Sequence, residues 1–131
     1  MVDTREGDSM AQIAPPVTHV PLVSIGLPVY NGEKYVREAI DSLLAQSLTD
    51  FELLISDNAS TDDTRRICEA YARRDSRVRY LRQPENIGAG RNFEFVLDNA
   101  RGKFFMWAAH DDAWAANWLE VLVSAIRVDD F

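Results

Sequence analysis

Two adjacent carboxylates, Asp111 and Asp112, follow an apolar run at residues 103–109. We expect both carboxylates to be buried at the end of a strand, where their mutual repulsion would favour a bound cation. A hard ion such as Mg²⁺ or Mn²⁺ takes oxygen ligands and is commonly held by one or two carboxylates together with a substrate's phosphates. His110 is a further candidate ligand, although a loop histidine is more often packed or solvated. Two Asp residues also form turns and cap helices, so this dipeptide alone leaves a metal site and a simple turn both open.

Three other side chains have the chemistry to bind a nucleotide. Asp57 could accept a hydrogen bond from the N–H of a base, Tyr30 offers a ring face for stacking, and Arg91 could pair with a phosphate. Each also has an ordinary interpretation: a helix-entry turn for Asp57, a half-buried core position for Tyr30 and a solvated helix turn for Arg91. They form one site only if the fold brings them together.

Four short apolar runs are typical of buried strands. We predict strands over residues 22–29, 51–56, 78–81 and 103–109. The fourth run is almost entirely apolar, as expected for a parallel strand that helices cover on both faces.

Helical spacing of apolar residues follows each predicted strand. Asn31 is available to cap the first helix, and Ser60 begins a possible capping pair at the second. The third helix is expected to bury Phe93, Val96, Leu97 and Ala100 and to end at Gly102. The alternation of strands and helices predicts an α/β fold with a mostly parallel, doubly wound sheet and flanking helices. In such sheets ligands bind beyond the carboxyl ends of the strands, which is where the candidate residues lie.

Composition restricts the classes of partner. The 131 residues suit one domain, and the net charge of −7 with a pI of about 4.7 excludes nucleic acid as the main partner, because polyanions bind basic surfaces. A single cysteine, Cys68, is compatible with a reducing compartment. No run is long enough to span a bilayer, and residues 1–21 lack an apolar signal-peptide core. We expect residues 1–20 to be a flexible leader and residues 21–131 to form the α/β domain.

Four motifs, in this order and spacing, resemble the N-terminal half of family 2 glycosyltransferases over about residues 22–126. The matching segments are residues 23–33 for the opening strand and "P-x-Y-N-x-E" turn, 42–47 for "S-x-L-x-Q", 51–62 for "D-D/N-x-S-T-D", and 85–92 for "N-x-G-x-x-x-A/R-N". The resemblance implies a Rossmann-like, GT-A-type nucleotide-binding fold.

The resemblance also implies a set of site residues. Those for the nucleotide sugar are Pro28, Tyr30, Asn31, Glu33, Asp57, Asn86, Gly88 and Arg91. Asp57 would recognise uracil or a similar pyrimidine, Arg91 would face the base or phosphates, and Glu33 would hold the pocket in shape. Asp111 and Asp112, with His110 as an additional candidate, would bind Mn²⁺ or Mg²⁺. Ala109 departs from the family pattern, because it replaces the first carboxylate of the "D-x-D" sequence.

The implied reaction is transfer of a sugar, with inversion, from a nucleoside-diphosphate donor such as a UDP-sugar to an acceptor hydroxyl. The family's catalytic base would lie beyond residue 131, so residues 21–131 are expected to stop before the acceptor-binding portion and to be inactive alone. The resemblance implies a glycan or lipid-linked acceptor and a role in cell-surface polysaccharide or glycoconjugate synthesis. It also implies a cytoplasmic location, peripheral at the inner face of the membrane. The sequence leaves open whether the protein forms a homodimer.

Other protein classes share parts of this pattern. A nicotinamide dehydrogenase domain would carry a glycine-rich loop where this chain has residues 28–33. A signalling receiver domain would carry an acidic pair after the first strand, where this chain has residues 29–31. A binding-only or inactive nucleotide-binding domain stays open because of Ala109.

Overall fold

Strands and helices alternate along the whole part of the chain that the computed structural model describes, residues 19–129. The elements are β1 (Val23–Val29), α1 (Val36–Leu44), β2 (Phe51–Asp57), α2 (Thr64–Arg74), β3 (Val78–Arg82), α3 (Ala89–Asn99), β4 (Phe104–Trp107) and α4 (Trp118–Asp129). All four predicted strands are confirmed to within a few residues. The expected leader lies outside the described residues except for His19 and Val20. Among the described helices, none is both long and apolar enough to cross a membrane.

The four strands form one parallel sheet in the order β3-β2-β1-β4. Side chains of successive strand residues point to opposite faces, and β1 shows this clearly. Val23, Ile25, Leu27 and Val29 belong to the main hydrophobic cluster with α1, α2 and α4, whereas a side chain at Gly26 would meet Val96 of α3 on the other face. Helices therefore cover both faces of the central strand, which confirms the predicted α/β class.

The predicted helix caps are wrong. Neither α1 nor α2 has a capping hydrogen bond from the side chain of its N-cap residue, Tyr35 or Asp63. Asn31 adopts a positive φ of 51°, and its side chain accepts a hydrogen bond from the backbone N–H of Thr61. The hydroxyl of Ser60 accepts one from the backbone N–H of Asn31. Both polar side chains thus join two loops instead of capping the helix that follows them.

Val96 of α3 is fully buried as expected, but the expected burial of Phe93, Leu97 and Trp107 is wrong. Phe93, Leu97 and Trp107 are 46%, 53% and 42% exposed. The reason is that β4 is an edge strand of the described sheet, with β1 as its one neighbour. Helix α3 ends at Asn99 and not at Gly102.

A buried polar network closes the sheet at the amino ends of the strands. Glu52 of β2 accepts hydrogen bonds from the hydroxyl of Ser24, the guanidinium of Arg79 and the backbone N–H of Arg101. Burial raises the pKa of Glu52, but these hydrogen bonds outweigh burial and hold the pKa below its usual value. The network connects β1, β2, β3 and the turn into β4 at the end opposite the predicted site.

Candidate nucleotide-sugar site

A cavity of about 360 Å³ opens at the carboxyl ends of the strands, where the α/β pattern predicts a ligand. It is lined by Pro28, Val29, Tyr30, Asn58, Ala89, Asn92, Phe93, Trp107, Ala108, Ala109, His110 and Asp111. Residues that follow β1, β2 and β4 therefore meet residues of the first turns of α3. Of the predicted site residues, the cavity brings together Pro28, Tyr30, His110 and Asp111.

The loop after β1 presents Tyr30 to the cavity, with 44% of the residue exposed. This loop is bonded to the loop after β2 at several points. The backbone N–H of Gly32 donates to the hydroxyl of Thr64 at 2.8 Å, and the carboxylate of Glu33 accepts from the backbone N–H of Asp63 at 2.8 Å. With the bonds of Asn31, these contacts make a rigid support for Tyr30. Asn31 and Glu33 do not line the cavity themselves.

Asp57 is fully buried at the end of β2 and is not among the cavity-lining residues. One carboxylate oxygen, Oδ1, accepts a hydrogen bond from the backbone N–H of Ser60 at 2.9 Å. The other, Oδ2, accepts from the hydroxyl of Tyr80 at 2.6 Å and from the guanidinium of Arg82 at 3.2 Å. Its strand partner Val29 and its chain neighbour Asn58 both line the cavity, so Asp57 lies directly behind the cavity wall.

The loop after β3 is tied to the cavity through Asn58. The side-chain oxygen of Asn58 accepts a hydrogen bond from the backbone N–H of Ile87, and its amide donates to the side chain of Asn86. Asn86 in turn accepts from the backbone N–H of Gly88, which has a positive φ of 88° just before α3. Asn86 and Gly88 thus shape the loop, and neither lines the cavity. Arg91 is exposed on the first turn of α3 and does not line it either.

The predicted set of site residues lacks one aromatic wall of the cavity. Phe93 of α3 and Trp107 of β4 stack with their ring centroids 4.8 Å apart, and both line the cavity. Phe93 was instead predicted to be a core residue, because it matches the apolar spacing of α3. Trp107 is the last residue of β4, and its place at a strand's carboxyl end was the signal that could have identified it.

Asn92 and Ser56 connect α3 to the sheet beneath the cavity. The hydroxyl of Ser56 donates to the side-chain oxygen of Asn92 at 2.6 Å, and the Asn92 amide donates back to the carbonyl oxygen of Ser56 at 3.0 Å. Both residues are buried. This reciprocal pair fixes the start of α3, where the matched loop of residues 85–92 ends.

Of the candidate metal ligands, His110 and Asp111 line the cavity, and Asp112, the next residue in the chain, does not. Asp111 and Asp112 are exposed, so the expected burial of this pair is wrong; the two carboxylates follow the strand by four and five residues and have left the core. His110 packs against the loop after β1, and a Cβ added at Gly32 would lie 2.7 Å from its ring. Within residues 19–129 there is no cluster of three or more His, Cys, Asp or Glu side chains suited to a metal ion. Two carboxylate donors still fit a hard divalent ion whose other ligands are phosphate and water oxygens.

A parallel sheet with helices on both faces and a cleft at its carboxyl edge defines an α/β domain of the doubly wound class, in which ligands bind beyond the strand ends. The family model for glycosyl transferase family 2 matches residues 24–131, so the chain belongs to that family. The fold is the corresponding GT-A-type sheet, and the resemblance deduced from the four motifs is confirmed.

Individual relatives agree with this assignment. An uncharacterised glycosyltransferase of Rickettsia prowazekii is 42% identical over 107 residues, which cover 82% of this chain and 32% of that protein. The crystal structure of S. aureus TarS 1–349 in complex with UDP matches with a TM-score of 0.75 and 30% identity, over 81% of this chain and 32% of that one. A mannosyltransferase from Pyrobaculum calidifontis, in complex with GDP-Man and Mn²⁺, has the same fold, with a TM-score of 0.75 and 24% identity over 87% of this chain and 34% of that one. The chain thus spans about a third of the length of these relatives.

Proposed function

We propose that residues 21–131 are the donor-binding portion of a transferase that moves a sugar from a nucleoside diphosphate, UDP in particular, to an acceptor hydroxyl with inversion. The cavity at the carboxyl edge of the sheet is the observation that carries this proposal, because Tyr30 and Asp111 lie in its wall on the tips of β1 and β4. The TarS match adds support, since that protein was crystallised with UDP.

Tyr30 and Pro28 are proposed to bind the base. Tyr30 presents an exposed ring on a loop that six hydrogen bonds connect to the loop after β2 and the start of α2. A ring that is already held in place loses little conformational freedom on stacking. Two pairs of residues would act on donor binding indirectly. Asn31 and Glu33 would hold the loop that carries Tyr30, and Asn86 and Gly88 would shape the loop after β3. Arg91, exposed at the start of α3, would reach the phosphates of a bound donor.

Asp57 is proposed to recognise the base N–H, with one structural condition. Its Oδ1 accepts a single hydrogen bond among the described residues, which leaves a lone pair for a further donor. Because the residue has no exposed surface, a base reaches this oxygen only if the turn at residues 58–61 moves. Replacing Asp57 by Asn keeps the shape but changes acceptor chemistry, so it separates recognition from packing.

Asp111 and Asp112 would hold a Mn²⁺ or Mg²⁺ ion together with the donor's phosphates, and His110 is a candidate third ligand beside them. The ion would neutralise charge on the leaving diphosphate. A protein of the same fold binds Mn²⁺, which favours this ion for the first tests. Ala109 contributes no carboxylate, so the site depends on the two Asp residues and the phosphates.

The remaining parts of the proposal concern the complete protein. A catalytic base beyond residue 131 would accept the proton of the acceptor hydroxyl, and this chain without it would bind donor but not transfer sugar. We further propose a glycan or lipid-linked acceptor in cell-surface polysaccharide or glycoconjugate synthesis, at the cytoplasmic face of the membrane.

Calorimetric titration of the chain with UDP and GDP, each with and without Mn²⁺, tests the donor proposal. We expect UDP to bind, and Mn²⁺ to tighten its binding. Asp57→Asn should weaken UDP binding by about tenfold, which is the cost of one unpaired polar group in a binding site. Asp111→Ala should remove most of the Mn²⁺ effect and keep the melting temperature of the parent, whereas Asp98→Ala, on an exposed position of α3, should change neither.

Absence of UDP binding under every condition would reject the proposal. Binding of UDP with no response to Mn²⁺ in the parent chain would instead favour a binding-only domain, in which Ala109 marks the lost metal site.

A further inference from the structure

The turn that carries Asp111 and Asp112 is short and is held at its entry by the sheet. The backbone N–H of Ala108 donates to the carbonyl oxygen of Gly26 in β1 at 2.9 Å. Within the turn, the backbone N–H of Asp112 donates to the carbonyl oxygen of Ala109. The position of the two carboxylates therefore depends on these bonds, on the packing of His110 beside Gly32, and on where the chain is held after the turn.

The end of α1 holds the chain directly after this turn. The hydroxyl of Ser42 accepts a hydrogen bond from the backbone N–H of Trp114 at 3.2 Å. The side-chain amide of Gln46 donates to the carbonyl oxygen of Ala115 at 2.8 Å, and its oxygen accepts from the backbone N–H of Leu119 at 2.9 Å.

Gln46 is itself firmly placed. It is 3% exposed, and its amide also donates to the carbonyl oxygen of Ser42 at 3.1 Å. The next residue, Ser47, donates from its backbone N–H to the carbonyl oxygen of Ala116 at 2.7 Å. A buried amide bonded on both its oxygen and its nitrogen can adopt few alternative orientations. The segment after the carboxylates is thus docked on a rigid helix end.

We infer that Ser42 and Gln46 are positioning residues for the metal site, because they fix the exit of the turn that presents Asp111 and Asp112. This inference rests on the proposed function. Five residues, 109–113, separate the last contact with the sheet from the first contact with Ser42. Asp111, Asp112 and the candidate third ligand His110 all lie on this one turn, so no proposed ligand from another element would correct a displaced turn, and the affinity for the ion depends on this support.

The bonds that join Gln46 to Ala115 and Leu119 also affect stability, since Leu119 is a buried residue of α4. A purely structural role would lower the melting temperature and leave the ion's affinity unchanged in the molecules that remain folded. A positioning role changes the affinity for the ion at temperatures where the chain is fully folded. Metal affinity measured well below the melting temperature therefore distinguishes the two.

The test compares Gln46→Ala and Ser42→Ala with a matched control, Ser47→Ala. The control removes the hydrogen bond from the Ser47 hydroxyl to Glu120, at the same helix end, but leaves every contact of Ser42 and Gln46 intact. Mn²⁺ is titrated into each variant at saturating UDP and followed by electron paramagnetic resonance of the free ion. Affinity for UDP without metal is measured in parallel by calorimetry.

We expect Gln46→Ala to raise the Mn²⁺ dissociation constant by about tenfold, the lower end of what loss of a supporting partner costs a metal site. UDP affinity without metal should stay within about twofold of the parent. Ser47→Ala should match the parent in both measurements. If Gln46→Ala does not fold, Ser42→Ala is the test variant, because alanine suits a helix and the substitution removes only the bond accepted from Trp114 and a local bond donated to the carbonyl oxygen of Ala39.

An unchanged Mn²⁺ dissociation constant in the folded variant, Gln46→Ala or else Ser42→Ala, would overturn the inference while the donor proposal stands. A parent chain that binds UDP without any Mn²⁺ response would refute the metal assignment itself, so the two failures are distinguishable.

Discussion

The hydroxyl of Tyr80 donates a 2.6 Å hydrogen bond to the carboxylate of Asp57, which has no solvent-exposed surface. Arg82, two residues along the same strand, donates to the same carboxylate oxygen. A buried carboxylate is stable only where hydrogen bonds and opposite charge compensate its lost hydration. Strand β3 therefore supports the candidate site from behind, although none of its residues lines the cavity.

Replacing Tyr80 by Phe should lower the free energy of unfolding by about 1–3 kcal/mol, because the carboxylate of Asp57 loses a donor that water cannot replace. Urea denaturation followed by circular dichroism measures this loss. Tyr35→Phe, at a position that is 46% exposed, is the control and should change stability by less than about 0.5 kcal/mol. Equal stability of the two variants would show that the Tyr80 bond contributes nothing net.

The lowered pKa of Glu52 predicts that part of the folding stability is lost at acidic pH. Burial raises its pKa, but hydrogen bonds from Ser24, Arg101 and Arg79 lower it below the usual 4.5. A folded-state pKa below the unfolded value contributes stability above pH 4.5, and this contribution is lost as pH falls through the folded pKa. Glu52→Gln should be less stable than the parent at neutral pH, and the difference should shrink as pH falls below 4.5.

Urea denaturation at a series of pH values checks this prediction. Glu94→Gln, on an exposed position of α3, should follow the parent at each pH. A stability difference between Glu52→Gln and the parent that does not depend on pH would contradict the assigned cause.

The raised pKa of the Cys68 thiol predicts that the folding stability falls at alkaline pH. Burial, with smaller contributions from Asp57, Asp62 and Glu69, raises the pKa of its thiol to about 12. The unfolded thiol ionises near its ordinary pKa of 9.0, so the folded state binds more protons between pH 9.0 and about 12, and stability falls as pH rises through this range. The slope contributed by this group is at most about 1.4 kcal/mol per pH unit.

The variant Cys68→Ala should therefore lose stability with pH less steeply than the parent above pH 9.0, although it is less stable at neutral pH because a buried side chain is shortened. Chemical denaturation across this range measures both slopes. Reaction of the parent with a thiol reagent should be slow in the folded state and fast in urea. Identical slopes for the two proteins would remove Cys68 as the cause.

Replacement of glycine by alanine is expected to have opposite effects on stability at Gly102 and Gly90. A Cβ at Gly102 would lie 2.5 Å from the backbone nitrogen of Ser24, so Gly102→Ala forces β1 and the turn into β4 apart. The cost should be about 1–3 kcal/mol, as for other overpacked sites. A Cβ at Gly90, in the first turn of α3, meets no atom within 4 Å, so Gly90→Ala should stabilise the chain by up to about 1 kcal/mol.

Thermal and urea denaturation of the two glycine variants check these signs. A stable Gly102→Ala variant would mean that the turn moves away from Ser24 at no cost.

Several features of the fold could be predicted from the sequence because they depend on local patterns. The apolar run that contains Val23 and Ile25 is short and β-branched, and such runs form buried strands wherever they occur. Ile67, Cys68 and Tyr71 recur at helical spacing, and all three are buried residues of α2. The order of motifs also identified the family, because four spaced segments coincide by chance far more rarely than one.

The structural predictions from the sequence that proved wrong concern polar residues in loops and apolar residues near the edge strand β4. Asn31 and Ser60 have the residue types of helix caps, but their partners come from another loop, 29 or 30 residues away in the chain. Phe93 and Trp107 have the spacing of core residues, and their exposure depends on which elements lie beside β4.

Local spacing thus determined the strands, the helices and the edge of the sheet where ligands bind, because hydrophobic periodicity acts over a few residues. Only the tertiary structure decided which polar groups face the cavity, which are buried behind it, as Asp57 is, and which hold a loop, as Gln46 does. Such roles depend on hydrogen-bond partners distant in the chain, and a residue's type shows its capacity to donate or accept but not the group that it meets.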